Sequence, residues 1–338
     1  MMRPKRQIML LKVCVLPGIL FLLAACSKNS AIENTLVEMN ERLVSYTEIE
    51  NSLALNLAEL EPPARSALRL DIENVSINLR EFYALNQCNL AKLIAERNTA
   101  LGKTQLPSIR FAYEHRLLDE LYTCERQLDD AHRMKAKLGE WLVTKQKNLP
   151  RVYANLITQS KETNIAFTLP SGYISGTESD NFLETKMAID ALTTSPESYG
   201  FDVKNLEHHL RVLEKARLIA NMWNTQNLLI EALPQITSVL KAYQLKNNCA
   251  TASQREELRV MQNIYKIFFA EKVQPIVSQL NKYHYQISPS LIELAQMPAL
   301  PENFVDYIKR HNVEQHQQYR TVLSDHISEW QKVFNMCT

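Results

Sequence analysis

"IENTLVEMNERLVSYTEIENSLALNLAEL", residues 32–60, decides the fold class of this chain. Ile32, Leu36, Met39, Leu43, Tyr46, Ile49, Leu53, Leu57 and Leu60 recur every three or four residues without a break. Side chains at that spacing share one face of an α-helix. The stretch predicts an amphipathic helix of about 30 residues, stopped by Pro62 and Pro63, which lack the N–H that would extend it.

The same spacing returns downstream. Ile109, Tyr113, Leu117, Leu121, Cys124 and Leu128 follow Pro107, a residue suited to a first helical turn. Leu206, Leu210 and Leu213 open a third helix expected to run to Ala232, before Pro234. Leu258, Met261, Tyr265 and Phe268 begin a fourth, with a kink expected at Pro275. Tyr319, Leu323, His326, Trp330, Phe334 and Cys337 line the last, which starts near Pro301-Glu302-Asn303. The chain has only six glycines, the residue that turns and strand corners need, so long helices with few tight reversals are expected. The predicted class is all-α, an elongated bundle of long amphipathic helices stabilised by disulfides. "TLPSGYISGTESD" (168–180) is the main interruption. It reads as a loop or short hairpin over 166–181, between helical halves at 31–165 and 182–338 of one continuous domain. Its tip is a candidate mobile functional loop, against the simpler reading of a surface connector.

The first 30 residues follow another logic. Arg3, Lys5, Arg6 and Lys12 stand at the start, and no acidic residue precedes Glu33. Val13 to Ala24 is apolar but shorter than the roughly 20 residues of a membrane-spanning helix. A basic start, a short apolar run and small residues before a cut site describe a secretory signal peptide. The run ends Leu23-Ala24-Ala25-Cys26, which is similar to the lipobox of bacterial lipoproteins. That resemblance implies removal of residues 1–25, diacylglycerol and an N-acyl chain on Cys26, and a lipidated tether over 26–30. Each buried acyl CH₂ adds ~0.8 kcal/mol of membrane affinity, so several chains hold durably. By the same resemblance Ser27, in place of Asp, favours a periplasmic position on the inner leaflet of the outer membrane. The first 25 residues hold four basic and no acidic residues, leaving 34 basic against 37 acidic in the remainder. Such a balance argues against nucleic acid as a partner.

Apart from Cys14 and Cys26, four cysteines remain: Cys88, Cys124, Cys249 and Cys337. An even number in an exported chain suggests disulfides, with three connectivities open. Cys88–Cys124 with Cys249–Cys337 is favoured, because the first pair joins neighbouring helices and the second pins the carboxyl terminus. Bridges of these spans contribute about 3 to 5 kcal/mol each. The cysteines are scattered without a Cys-x-x-Cys pair, so zinc and redox catalysis are not expected.

"CNLAKLIAERNTALGK" (88–103), "YEHRLLDEL" (113–121) and "HISEWQKVFNMC" (326–337) together resemble the domain-of-unknown-function 3080 family of Gram-negative bacterial proteins, many with a lipoprotein signal. The resemblance implies that Cys88, Cys124, Cys249 and Cys337 are family positions. It implies no activity.

Leu90, Leu93, Ile94 and Leu101 define an apolar face on which Arg97 also falls. A charge there needs a partner, with Glu96 and Glu114 as candidates. Glu96, Arg97, Asn98 and Glu114 therefore form a candidate polar pocket for an anionic or hydroxylated ligand. The competing reading is an ion-pair network that fixes helix register. His208, His209, His311 and His316 lack metal spacing, and His326 and Trp330 are expected in the core. His-Glu-x-x-His, Gly-x-Ser-x-Gly and phosphate-cradling glycine loops do not occur. No metal and no cofactor beyond the lipid on Cys26 is expected. The leading functional expectation is a non-enzymatic scaffold or accessory factor that meets an envelope protein partner. The alternative is a binding protein for an envelope lipid or glycan, and an envelope-polymer hydrolase is least favoured.

Overall fold

A computed structural model describes residues 31–98, 106–178, 181–196, 201–247 and 250–336. These residues form helices and no strands. The expected positions Cys26, Cys249 and Cys337, and the 1–25 leader, lie outside the described residues.

The opening stretch is helical only over α1, Ala31–Thr47. Glu48 takes a left-handed backbone with φ 53°, and the chain then runs extended. From Ile49 to Ala58 side chains alternate between half-buried and exposed, the period of two of an extended chain. Leu53, Leu55 and Leu57 all pack against the core. A helix would have turned Leu55 away from the other two, so the expected helix to Leu60 is corrected to half its length.

An extended segment needs partners for its backbone, and here side-chain amides provide them. Gln235 accepts from the Ala54 N–H at 3.1 Å and donates to the Ala54 carbonyl at 2.9 Å. Asn155 does the same for Leu70, at 2.8 and 2.7 Å. Asn227 donates to the Ala58 carbonyl at 3.2 Å and Asn148 to that of Glu73 at 2.8 Å. The result is a strap over residues 48–78, stitched to two helices by their amide side chains.

After the strap come α2 (Leu79–Ala84), α3 (Leu90–Arg97), α4 (Pro107–Gln127) and α5 (Lys135–Gln159), followed by α6 (Lys161–Thr168) and α7 (Phe182–Thr193). The helix expected over 206–232 is broken and then prolonged. Arg217, at φ 48°, divides α8 (Leu206–Ala216) from α9 (Leu218–Lys246). Pro234 lies inside α9 and does not end it. An interior proline costs a helix ~3 kcal/mol. The core offsets that cost, since Leu228, Leu229, Leu233, Ile236 and Leu240 are all fully buried and each such side chain contributes about 1.5–3 kcal/mol. With 16 of its 29 residues buried and a stripe of Pro234, Ser238, Lys241 and Leu245 exposed along its second half, α9 is the central helix.

The fourth predicted helix is α10 (Ala252–Ile264), a π-helical stretch (Tyr265–Val273) and α11 (Gln274–Ala295). Pro275 is met by this wider winding, in which the Gln274 N–H reaches the Phe269 carbonyl. The last is α12 (Glu302–Lys309), a second π-helical stretch (Arg310–Glu314) and α13 (Gln315–Asn335), which packs along α9.

Buried apolar side chains of the described residues form two clusters. The larger draws on both sides of the 166–181 connection, from Ile32 to Val333. The smaller, from Leu85 to Trp141, is built from α3, α4, α5 and the turns that flank them. The Cys88–Cys124 disulfide ties α3 to α4 inside it, with Cα atoms 5.5 Å apart. Residues 169–178 are irregular and fastened to α9: the Ile174 N–H donates to Thr225 Oγ1 at 2.9 Å, and Asn224 donates to the Gly172 carbonyl at 3.2 Å. At Gly176 a Cβ would stand 2.9 Å from that of Pro275, so the close approach requires glycine.

His326 and Trp330 sit in the core as expected. Trp330 Nε1 donates to His326 Nε2 at 3.0 Å, which leaves the proton on Nδ1 to reach Thr237 Oγ1 at 2.8 Å. Thr237 in turn donates to the Leu233 carbonyl, so the buried polar groups close on one another.

Candidate functional site

The smaller cluster carries a cavity of about 410 Å³. On α4, Arg110, Tyr113, Glu114, Leu117 and Leu121 repeat at helical spacing and turn one face to it. Lys145 and Trp141 enter from α5, Ile94 and Arg97 from the end of α3, and the extended residues 74–77 of the strap form the remaining wall.

Local chemistry places each wall. Asn78 caps α2, accepting from the Glu81 N–H at 3.0 Å while Glu81 accepts from the Asn78 N–H at 3.0 Å. Glu81 also pairs with Lys137 at 2.5 Å, and the Lys137 ammonium stands 5.4 Å from the centre of the Trp141 ring. Hydrogen bonding from Lys137 holds the Glu81 carboxyl below its ordinary range. The strap arrives on the Asn155 and Asn148 bonds from the same α5. Cys88, two residues before α3, anchors that helix to Cys124, and Arg97 stands at its far end.

Of the residues singled out from sequence, Arg97, Asn98 and Glu114 line the cavity, while Glu96 pairs outward with Arg116 at 3.5 Å. Glu114 is buried and engages two cations, Lys145 at 2.9 Å and Arg110. Arg97 Nη1 is buried without a hydrogen-bond partner among the described residues. Burial, then the like charge of Arg110, push its pKa down, although a guanidinium stays charged throughout the working pH range. Burial, with Glu114 next, pushes the Tyr113 hydroxyl up to about 12, so it remains a neutral donor.

Arg110 and Lys145 are charged cavity-lining residues that the sequence did not single out. A close signal existed for one of them, since Arg110 is four residues before Glu114 on the same helix. Lys145 is 31 residues from Glu114, and only the packing of α5 on α4 joins them. The described lining holds three cations against one carboxylate, with no histidine and no free thiol.

A family model described as "Protein of unknown function (DUF3080)" matches residues 37–338. The chain belongs to this family. No curated protein and no solved structure matches this DUF3080 chain. Among its described residues no helix is long and apolar enough to cross a membrane, and no group of three or more His, Cys, Asp or Glu side chains is placed to hold a metal.

Proposed function

We propose that this DUF3080 chain is a lipid-anchored envelope protein that acts by holding a small ligand in the cavity between the strap, α3, α4 and α5. The observation that carries the reading is Arg97, which lines a site already rich in positive charge and whose buried Nη1 has no hydrogen-bond partner among the described residues. An unpaired buried donor costs about 1–3 kcal/mol or more for a charged group, a cost that a bound acceptor removes. The volume supports the same reading, because ligand pockets run from about 300 to 1,000 Å³. Glu114, tied to two cations, has no second carboxylate or histidine beside it among the lining residues, which favours binding over hydrolysis. The tether rests on the 1–26 sequence pattern, and an anchored binder is an accessory factor that keeps its ligand at the membrane surface.

Native mass spectrometry of the full chain, extracted from Gram-negative membranes in nonionic detergent, tests both parts. Loss of residues 1–25, acyl mass on Cys26 and a non-covalent adduct absent from Arg97→Gln are expected. A chain with unmodified Cys26 contradicts the anchor, and a chain without adduct contradicts the binding role.

A further inference from the structure

Resting on that binding role, we propose that the cavity selects a phosphate monoester carried on a short apolar body. Three positive side chains accompany one carboxylate, so the lining carries an excess of two positive charges. A phosphate monoester brings about −1.5 to −2 at neutral pH, whereas a carboxylate brings only one negative charge. Arg97 supplies the head-group contact. Its planar fork matches the spacing of phosphate oxygens, and its buried Nη1 has no hydrogen-bond partner among the described residues.

The other two cations are already positioned. Glu114 fixes Lys145 at 2.9 Å and also holds Arg110, which keeps both ammonium and guanidinium groups from folding back onto solvent. Glu114 therefore orients the cationic cluster and limits its charge. The lining also includes Ile77, Ile94, Leu117, Leu121 and Trp141, apolar side chains most of which stand one or two turns along the helices that carry the charged residues, a surface that a free inorganic ion would leave uncovered. Both parts lie within about 410 Å³, a space that a single ring or a short chain fills. The expected ligand is a phosphorylated small amphiphile, whether split from a lipid head group or taken up free.

Titration calorimetry on the full chain in nonionic detergent separates the possibilities. The probes are phenyl phosphate, benzoate, inorganic phosphate and phenyl glucoside. Phenyl phosphate is expected to bind at least tenfold tighter than each of the other three. Arg97→Gln is expected to weaken it tenfold or more, and Arg97→Lys, which keeps the charge without the fork, to fall between. A thermal midpoint matching the wild type shows that each variant is folded. Equal binding of phenyl glucoside, or of benzoate, overturns the monoester assignment while leaving a ligand-binding cavity in place. Phenyl phosphate binding that ignores Arg97→Gln overturns the site. No binding of any probe, with a native adduct present, overturns the ligand class alone. No probe binding and no adduct overturns the binding role as well.

Discussion

Lys145 lies 2.9 Å from Glu114, and the two side chains are 5% and 3% exposed. Arg110 pairs with the same carboxylate, so a single buried anion is shared between two cations. Removing one partner of a buried pair leaves an uncompensated charge and costs about 3–5 kcal/mol. Glu114→Ala is expected to lower unfolding stability in urea by that amount. Lys145→Met is expected to cost less, because Glu114 keeps Arg110.

The strap makes a separable prediction. Gln235→Ala removes two hydrogen bonds to Ala54, and Asn155→Ala removes two to Leu70. Each should cost about 1–3 kcal/mol. The loss should be local, read as faster hydrogen exchange at the Ala54 or Leu70 amide while amides of α9 keep their protection. Uniform acceleration across α9 would show that the strap is integral to the global fold.

These strap contacts explain why residues 48–60 misled. Ile49, Leu53, Leu57 and Leu60 fit a helical period, yet Leu53, Leu55 and Leu57 fit a period of two equally well. Local pattern cannot choose between them; Gln235, 181 residues from Ala54, does. Helix α4 was legible because Pro107 marks its start and its buried residues are local to one helix. Cys88–Cys124 was legible because each cysteine lies in or beside a predicted helix. The cavity was legible only at Arg97 and Glu114, since its walls come from four segments whose meeting no single stretch encodes.

Acid should destabilise the bundle through its buried histidines. His284 and His316 stack with ring centres 3.4 Å apart. Burial, then the charges of His316 and Arg320, lower His284 to about 3; burial, then Arg320, lowers His316 to about 4. Burial alone lowers His326 to about 3. The unfolded chain takes up these protons near pH 6.5, before the folded one does, so stability is full above that pH. It falls as pH drops toward 4, by about 1.4 kcal/mol per histidine per unit of pKa depression. Urea midpoints at pH 7, 5.5 and 4.5 should decline in order, and His316→Gln should flatten the decline. An unchanged slope in the variant would place the acid sensitivity elsewhere.

Reducing Cys88–Cys124 should release α3 from α4. The bridge spans 36 residues, and a loop of that size contributes about 4 kcal/mol in the chain-entropy picture. Cys88→Ala with Cys124→Ala should lower stability on that order. Phenyl phosphate affinity should fall with it, because Arg97 stands at the end of the helix that the bridge anchors.

Three tryptophans allow a ligand seated among Arg97, Lys145 and Trp141 to be read directly. Trp141 lines the cavity, whereas Trp223 and Trp330 belong to the larger core. Phenyl phosphate should move the indole N–H resonance of Trp141, assigned through Trp141→Phe, in a saturable titration while the other two stay in place. A Trp141 resonance that does not move at saturating phenyl phosphate, or moves only together with Trp223 and Trp330, would contradict the account.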